Sequence, residues 1–225
     1  MTDFGAPAGT FPPPPVPPPP PSSGGRTGPP WEQPGPAVQR FIDTAKGVLL
    51  DSEQAFANMR REGGLANPLV YYLIGALLSV LAQAIWNGIG FSMPGMGSGY
   101  AGAGVLSALV MGACFVILGI FIGSGIVHLM LMLLGGQNYP FETTLRTIAY
   151  AHGSAAPIGA VPFCGGLIAM LWGLYAVVIG LSKTQEISVG KAAAAVLIPG
   201  LVCCAIAFIF AVIFGAALGM AALGR

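Results

Sequence analysis

The placement of the charged residues constrains this chain more than any other feature. Of its 17 Asp, Glu, Lys and Arg residues, 11 lie in residues 1–62 and only 6 in the remaining 163. The 79 positions between Glu62 and Glu142 carry none, and two further charge-free stretches cover residues 147–182 and 192–224. About 20 apolar residues form a helix that crosses the hydrocarbon core of a bilayer. The pattern therefore predicts a polar N-terminal part joined to an all-α, integral membrane body.

The overall composition excludes two classes of protein. Charged residues make up 8% of the chain, against about 25% in an average soluble protein, so an ordinary soluble domain is excluded. The formal net charge is +1, which is too low for a protein that must neutralise many nucleic-acid phosphates. Met1 is not followed by a positive region and an apolar core, so we expect no cleavable signal peptide.

Apolar length divides the membrane domain, residues 65–225, into five predicted spans separated by short turns. The second is longer than the hydrocarbon core requires and is expected to tilt, kink or protrude. The predicted spans are residues 68–89, 104–134, 143–161, 166–181 and 199–223.

The distribution of basic residues predicts the orientation of these spans. With the N-terminus in the cytoplasm and the C-terminus outside, five of the six basic residues from position 60 onward lie at cytoplasmic ends, as the positive-inside rule favours. These five are Arg60, Arg61, Arg146, Lys183 and Lys191, and only Arg225 falls outside.

Residues 1–36 are predicted to form a disordered cytoplasmic arm. They contain 14 of the 20 prolines, including the run Pro12–Pro21 that only Val16 interrupts. Such a composition cannot bury a core, and the run favours a stiff polyproline II conformation. The arm can act as a spacer, which the distance to the nearest basic residue favours, or as a ligand for a proline-binding groove of a cytoplasmic protein.

Residues 37–64 are predicted to form amphipathic helices that precede the first span. The apolar residues of the first helix follow the helical spacing, and Asp51 with Gln54 indicates an N-terminal cap for a second, short helix. The apolar faces of these helices can lie in the lipid headgroup layer or pack on the cytoplasmic ends of the bundle, and both alternatives are kept. The amphipathic pattern alone does not separate them.

Small residues mark close helix contacts in the membrane body, because they let helix backbones approach one another in lipid. In the fourth span Gly173 is the middle member of a stripe, and the second and fifth spans carry similar spacings. The stripe of the fourth span comprises Gly166, Ala169, Gly173, Ala176 and Gly180. Packing within the chain is one interpretation, and a face for a homo-oligomer is the other.

The third predicted span is unusually polar, and polar or ionisable groups inside a membrane are candidates for function. Arg146 lies close enough to the cytoplasmic end to reach the interface and to pair with Glu142, four residues earlier. His128 and His152 are interpreted as neutral side chains that are hydrogen-bonded in the bundle, because no membrane-embedded acid accompanies them. The candidate functional or packing residues are His128, Pro140, Glu142, Arg146, Tyr150, His152, Pro157 and Gly173.

Catalytic and cofactor-binding patterns are absent from the membrane sequence. It contains no triad of serine, histidine and acid, no paired carboxylates and no glycine-rich phosphate loop. The four cysteines include no Cys-x-x-Cys pair, and we expect them to behave as small apolar residues and not as metal ligands. The sequence thus predicts a protein that is not an enzyme and that has no catalytic, cofactor-binding or metal site.

Several stretches resemble the Yip-one domain family, the Ypt/Rab-interacting membrane proteins, and the residues before the first span resemble the leader of its bacterial branch. The similar stretches are Tyr139–Ala151, Ala155–Pro157, Pro162–Phe163, Trp172–Leu174 and Val189–Ala192. The resemblance implies a five-span bundle with a cytoplasmic N-terminus, and its bacterial branch implies that the expected location is a bacterial cytoplasmic membrane. Eukaryotic members bind Rab GTPases, but this chain lacks the Asp-Leu-Tyr-Gly-Pro-type motif of that branch, so Rab binding is not carried over.

These features favour a non-catalytic membrane scaffold or adaptor in membrane organisation or trafficking. Its expected partners are the lipid bilayer, a cytoplasmic protein recruited by the Pro-rich arm, and a second copy of the chain. Two alternatives stay open: a small-solute or ion transporter, which the polar third span suggests, and a membrane subunit of a larger complex. Against a transporter, five spans do not divide into paired repeats.

Overall fold

A computed structural model of the protein describes residues 25–88 and 105–223, with side chains described for residues 25–86 and 112–213. All the secondary structure in these ranges is helical. A 3-10 turn, Pro30–Glu32, comes first, and a second one, Ala156–Ala160, follows the fifth helix. The helices are α1 (Ala37–Leu50), α2 (Ser52–Ala57), α3 (Ala66–Gly88), α4 (Val105–Leu133), α5 (Phe141–Ala155), α6 (Gly165–Thr184) and α7 (Val189–Leu223).

Four of these helices are long and apolar enough to cross a membrane. The candidate spans are Ala66–Trp86, Gly112–Leu133, Gly165–Thr184 and Val189–Ile213. They lie in α3, α4, α6 and α7, and they make the chain an integral membrane protein. The predicted last span began at Pro199, but α7 already begins at Val189 and contains that proline.

The predicted third span is not among these four helices, so the prediction of five membrane spans is not confirmed. Helix α5 has 15 residues, about 22 Å at 1.5 Å each, and this is shorter than a hydrocarbon core. The α-helix ends at Ala155 because Pro157 lacks a backbone N–H, and the chain continues as a 3-10 turn. Twelve of the 15 residues of α5 are buried, although many are polar.

Helix α5 lies at the centre of the bundle, in contact with α1, α3, α4 and α6. Its closest neighbour is α3: a Cβ atom at Gly75 would collide with the carbonyl oxygen of Gly153 and lie 3.1 Å from its Cα. On the other side, Gly180 of α6 faces Thr147 and Phe56. A side chain at Gly75 would push two backbones apart, and one at Gly180 would displace the side chains of Thr147 and Phe56.

The small-residue stripe of α6 packs within the chain over its second half. Gly173, Ala176 and Gly180 are buried, and a Cβ at Gly173 would lie 3.0 Å from Nδ1 of His152. At the other end of the stripe, Gly166 has open space where a side chain would be. The intramolecular interpretation therefore holds for these three residues, and oligomerisation through the stripe stays a prediction.

Residues 25–36 are part of the folded structure, whereas we predicted that the disordered arm would continue to residue 36. Trp31 is buried, its backbone N–H donates to Thr44 Oγ1 of α1 at 2.8 Å, and its indole N–H donates to the carbonyl of Asn67 at 3.0 Å. A large aromatic side chain supplies the apolar area that the proline-rich composition lacks. The rest of the predicted arm, including Pro12–Pro21, lies outside the described residues.

Helices α1 and α2 pack on the bundle as a unit. The backbone N–H of Gln54 donates to the Asp51 side chain at 3.2 Å, so the predicted cap of α2 is present. Phe56 and Met59 are fully buried, and α2 contacts α6 while α1 contacts α5. The apolar face of α2 thus packs on the helix bundle and not in the lipid headgroup layer.

Candidate functional site

Arg146 on α5 is the centre of the polar core. Its side chain is fully buried, and its guanidinium joins α5 to two other parts of the chain, the connection between α2 and α3 and the segment that carries Glu32. Nε donates to the carbonyl of Arg60 at 3.0 Å, Nη1 donates to the carbonyl of Gly64 at 2.7 Å, and Nη2 pairs with Oε1 of Glu32. We call Arg146, Glu32 and Tyr150 the arginine clasp.

Glu32 completes the charge balance of the clasp. Its side chain is only 3% exposed, and the hydroxyl of Tyr150, one turn after Arg146 on α5, donates to Oε1 of Glu32 at 2.7 Å. A buried arginine needs both an opposite charge and partners for its remaining donors. Glu32 supplies the charge, and the two backbone carbonyls between α2 and α3 supply the rest.

The predicted pairing of Arg146 with Glu142 exists but is the weaker of its two ion pairs. Nη1 of Arg146 lies 3.7 Å from Glu142, whose carboxylate accepts the backbone N–H of Gly64 at 2.7 Å. Sequence reasoning missed Glu32, because it lies in a stretch whose proline content predicts disorder. The adjacent Trp31 was the signal that could have identified a folded segment there.

A second polar network lies where α4, α5 and α6 end or begin. The buried amide of Gln185 donates to Thr144 Oγ1 at 3.1 Å and accepts the backbone N–H groups of Asn138 and Tyr139 at 3.0 and 2.9 Å. Thr144 also bonds Nδ1 of His128 at 2.9 Å. His128 is therefore hydrogen-bonded inside the bundle, and this part of the network holds the 134–140 turn against the end of α6.

Pro140 lies at a position that suits a proline, immediately before α5. It is the residue before the first turn of α5, with an extended backbone, φ −63° and ψ 166°. A proline there sets the entry into the helix and lacks an N–H that would need a partner. It positions the polar residues of α5 and bears no functional group of its own.

An exposed cluster lies beside this turn. Arg61 pairs with the carboxylate of Glu186, stacks over the ring of Tyr139 at 3.6 Å and donates to the carbonyl of Thr184 at 3.2 Å. Tyr139 donates its hydroxyl to Glu186 at 2.9 Å. The hydrogen bonds from Arg61 and Tyr139 hold the pKa of Glu186 below its ordinary value. The cluster joins residues 61, 139 and 186 across three connecting segments.

An open groove of about 600 Å³ lies between the membrane-spanning helices, and exposed residues such as Val80, His152 and Met170 line it. His152 of α5 borders it beside Gly173, together with Tyr72 and Ser79 of α3. Most of its wall is apolar or glycine. His152 thus lies away from the arginine clasp and from His128, so the structure does not bring the two histidines into one site.

The side chains in the described part of the chain do not form a recognisable catalytic or metal site. Within residues 25–86 and 112–213, no three His, Cys, Asp or Glu side chains come together in a way that could hold a metal ion. The one acid of the clasp, Glu32, accepts hydrogen bonds from Arg146 and Tyr150. The observed contacts fasten residues 25–64 to the membrane helices.

The profile of the Yip1 domain matches residues 46–212, which is about three quarters of the chain. The chain belongs to the Yip1 domain family. Comparisons with curated proteins and with solved structures gave no match. The matched region begins within α1 and includes Arg146 and Tyr150, whereas Glu32 lies before it. The Yip1 domain of this chain thus takes the carboxylate of its clasp from outside the matched region.

Proposed function

We propose that this Yip1 domain protein is a non-catalytic membrane scaffold that presents its N-terminal residues to a cytoplasmic partner. The observation that carries the proposal is the arginine clasp. Through Glu32 it fastens the segment 25–36 to the centre of the bundle, so the residues before it leave the protein at a defined place. The buried polar groups of the clasp serve this attachment, which is the role expected of a display scaffold.

The proposed orientation places the N-terminus in the cytoplasm and takes α5 across the membrane with the turn that follows it. Helix α5 runs in the same direction as α3: Tyr71 bonds Ser154 at 2.8 Å, and the indole N–H of Trp86 donates to the carbonyl of Ala160 at 2.7 Å. The segment 141–160 therefore accompanies α3 from its first turns to Trp86. Protein helices cover its polar residues, so it does not need the apolar composition of a lipid-facing span.

The proline run supplies the recruiting element of this proposal. Pro21 lies four positions before Gly25, the first described residue, so a partner bound to the run would be held close to the bundle. Proline-rich sequence suits such recognition because little conformational entropy is lost on binding. Rab GTPases are not the proposed partner, since the motif of the Rab-binding branch is missing.

Affinity mass spectrometry on gently solubilised native membranes tests this function. The full chain is compared with a variant that lacks residues 2–24, which keeps Trp31 and Glu32 and hence the clasp. A third variant replaces the prolines of Pro12–Pro21 by Gly and Ser and preserves length. A cytoplasmic protein that the full chain captures and both variants lose supports the proposal. Equal captures from all three would reject recruitment by the run.

The groove beside His152 favours a second candidate function, transport of a small solute or ion. It is lined by glycines of α4 and α6 and by the hydroxyls of Tyr72 and Ser79, groups that could contact a passing solute. Reconstituted protein would then support a flux that His152→Ala reduces and that Glu53→Gln, a change on the exposed side of α2, leaves largely intact. The scaffold proposal predicts no flux in either variant or in the parent chain.

A further inference from the structure

Helix α1 has apolar residues on two opposite faces. Phe41 and Val48 point towards the bundle, where Val48 is buried and the Phe41 ring lies 4.8 Å from that of Tyr71. A stripe at four-residue spacing points away from the bundle. This outer stripe consists of Val38, Ile42, Lys46 and Leu50, and its three apolar members are 73%, 39% and 82% exposed.

One end of α1 lies beside the interior of a candidate membrane span. The indole N–H of Trp172 donates to the carbonyl of Leu49 at 3.2 Å. Trp172 is 12 residues before Thr184, the end of α6, which is about 18 Å along a helix. Even allowing for the length of an indole side chain, Leu49 lies well within the length of the span and not above its end.

The other end of α1 also lies beside the interior of a candidate span. The ring of Phe41 contacts Tyr71, which is five residues into the span Ala66–Trp86, about 7 Å from its start. Helix α1 thus crosses the flank of α5 from α3 to α6. It covers there a surface of the bundle that would otherwise face lipid.

The chemistry of the outer stripe fits a lipid boundary. The stripe carries one charge, Lys46, whose long side chain can reach the headgroups while its stem stays in an apolar layer. The neighbouring Asp43 borders a cavity on the other side, between α1 and the segment 27–30. Apolar and aromatic residues of α6 are exposed as well, namely Leu171, Trp172 and Tyr175, and Trp172 bonds Leu49, the residue next to Leu50 of the stripe.

We infer that α1 is an in-plane membrane helix whose outer stripe lies among the lipid acyl chains of the leaflet on the N-terminal side. The occupant of this face is therefore bilayer lipid, and not a protein partner or a second copy. An amphipathic helix buries its apolar face at the boundary of headgroups and acyl chains in this way. The inference goes beyond the scaffold function, which does not require that α1 touch lipid.

Lipid contact would give the N-terminal segment a fixed relation to the membrane surface. Trp31 is hydrogen-bonded to Thr44 of α1, and the guanidinium of Arg40 lies 5.1 Å from the Trp31 ring. A bilayer that holds α1 therefore also holds the segment that carries Glu32. The clasp and the lipid contact would fasten the same segment from two sides.

Spin-label accessibility in vesicles of phosphatidylcholine and phosphatidylglycerol tests the inference. The full chain, with its four cysteines replaced by serine or alanine, carries one label at Leu50→Cys. Leu171→Cys on the exposed face of α6 is the lipid reference, and Ala57→Cys on the exposed side of α2 is the aqueous reference. Oxygen, which concentrates in the bilayer, and a water-soluble nickel chelate serve as the two relaxing agents.

Lipid contact predicts that the label at Leu50 behaves like that at Leu171: oxygen relaxes it strongly and the chelate weakly. A label at Leu50 that behaves like that at Ala57 would overturn the inference, because the stripe would face water. Low accessibility to both agents, with spectral broadening between fully labelled copies, would also overturn it in favour of a dimer face. Leu50 is largely exposed, so its replacement leaves the fold intact, and equal melting temperatures of the labelled variants check this.

Discussion

The carboxylate of Glu32 and the guanidinium of Arg146 form a buried ion pair across 114 positions of sequence. The pair joins a proline-rich N-terminal segment to the most buried helix of the bundle. Removing charges from water is costly, so neither residue is stable in this place without the other. The pair therefore makes the placement of residues 25–36 and the packing around α5 dependent on each other.

We predict that Arg146→Ala destabilises the protein by about 3–5 kcal/mol, because it leaves the Glu32 carboxylate buried without an opposite charge. The lost attachment should also release the N-terminal segment. Thermal unfolding in detergent measures the first effect, and hydrogen exchange at residues 28–33 measures the second. Unchanged protection of that segment in the variant would show that other contacts hold it.

The surface pair of Lys183 and Glu53, 3.0 Å apart and partly exposed, is the matched control for the clasp. Glu53→Gln should change the free energy of unfolding by less than about 1 kcal/mol, since water screens such pairs.

The double variant Glu32→Gln, Arg146→Met tests whether the two residues of the clasp act together. It should lose less stability than the sum of the losses in the two single variants, because it removes both charges together. Additive losses would mean that the two residues act independently.

Periodicity and charge placement were sufficient to predict the helical membrane body, the cap of α2 and the polar character of α5. They could not show that α5 is covered by protein on several sides, because burial depends on neighbours that are distant in sequence. For the same reason Arg146 was paired with Glu142, four residues away, and not with Glu32. Local spacing can suggest a partner within one helix but not one that the tertiary fold brings together.

The order of residues 25–36 could not be predicted from composition either. A proline-rich segment folds only if another surface accepts it, and here Trp31 fits between α1 and α3, with Asn67 accepting its indole N–H. The glycine stripe of α6 was more informative. Spacing correctly placed Gly173 and Gly180 at helix contacts, but it could not identify Gly75 and Gly153, which form the tightest crossing.

The crossing of α3 and α5 leads to a second prediction: Gly75→Ala should be strongly destabilising. Its Cβ would meet the backbone of Gly153, which cannot move aside as a flexible side chain can. Overpacking of this kind costs about 1–3 kcal/mol. Thermal unfolding of the purified variant in detergent measures the loss.

Gly123→Ala on α4 is the control for this substitution, because a Cβ there has nothing within 4 Å. The two changes add the same methyl group to a membrane helix and differ only in the space around it. We expect Gly123→Ala to leave the unfolding temperature unchanged or to raise it. Equal losses in both variants would indicate a general helix effect and would contradict the close contact between α3 and α5.

The exposed cluster of Arg61, Tyr139 and Glu186 leads to a prediction on pH. Because the pKa of Glu186 is lowered in the folded protein, its charge contributes stability above the ordinary glutamate pKa of about 4.3. That contribution is lost as the pH falls through the lowered pKa. Carbon NMR of labelled glutamate carboxylates, assigned with Glu186→Gln, measures this titration directly.

Arg61→Gln should move the pKa of Glu186 upwards, since the hydrogen bond from Arg61 is the largest cause of the lowering. Arg60→Gln removes the same charge one position earlier, where the backbone carbonyl and not the side chain serves the clasp. It should change the titration of Glu186 much less. A pKa that responds equally to both variants would point to general electrostatics and not to the observed bond.

The last prediction is that α5, with the turn that follows it, crosses the membrane. Labelling of single cysteines in intact cells tests it. Val161 follows the 3-10 turn and is half exposed, and Ser188 lies in the exposed turn between α6 and α7. If the segment 141–160 crosses, Val161→Cys reacts with an impermeant reagent from outside and Ser188→Cys reacts only after the membrane is opened. Gln137 lies in the exposed turn before α5, and Gln137→Cys should likewise react only after the membrane is opened. Reaction of Gln137→Cys and Val161→Cys from the same side would show that α5 enters the bundle without crossing, and the described residues would then contain four spans.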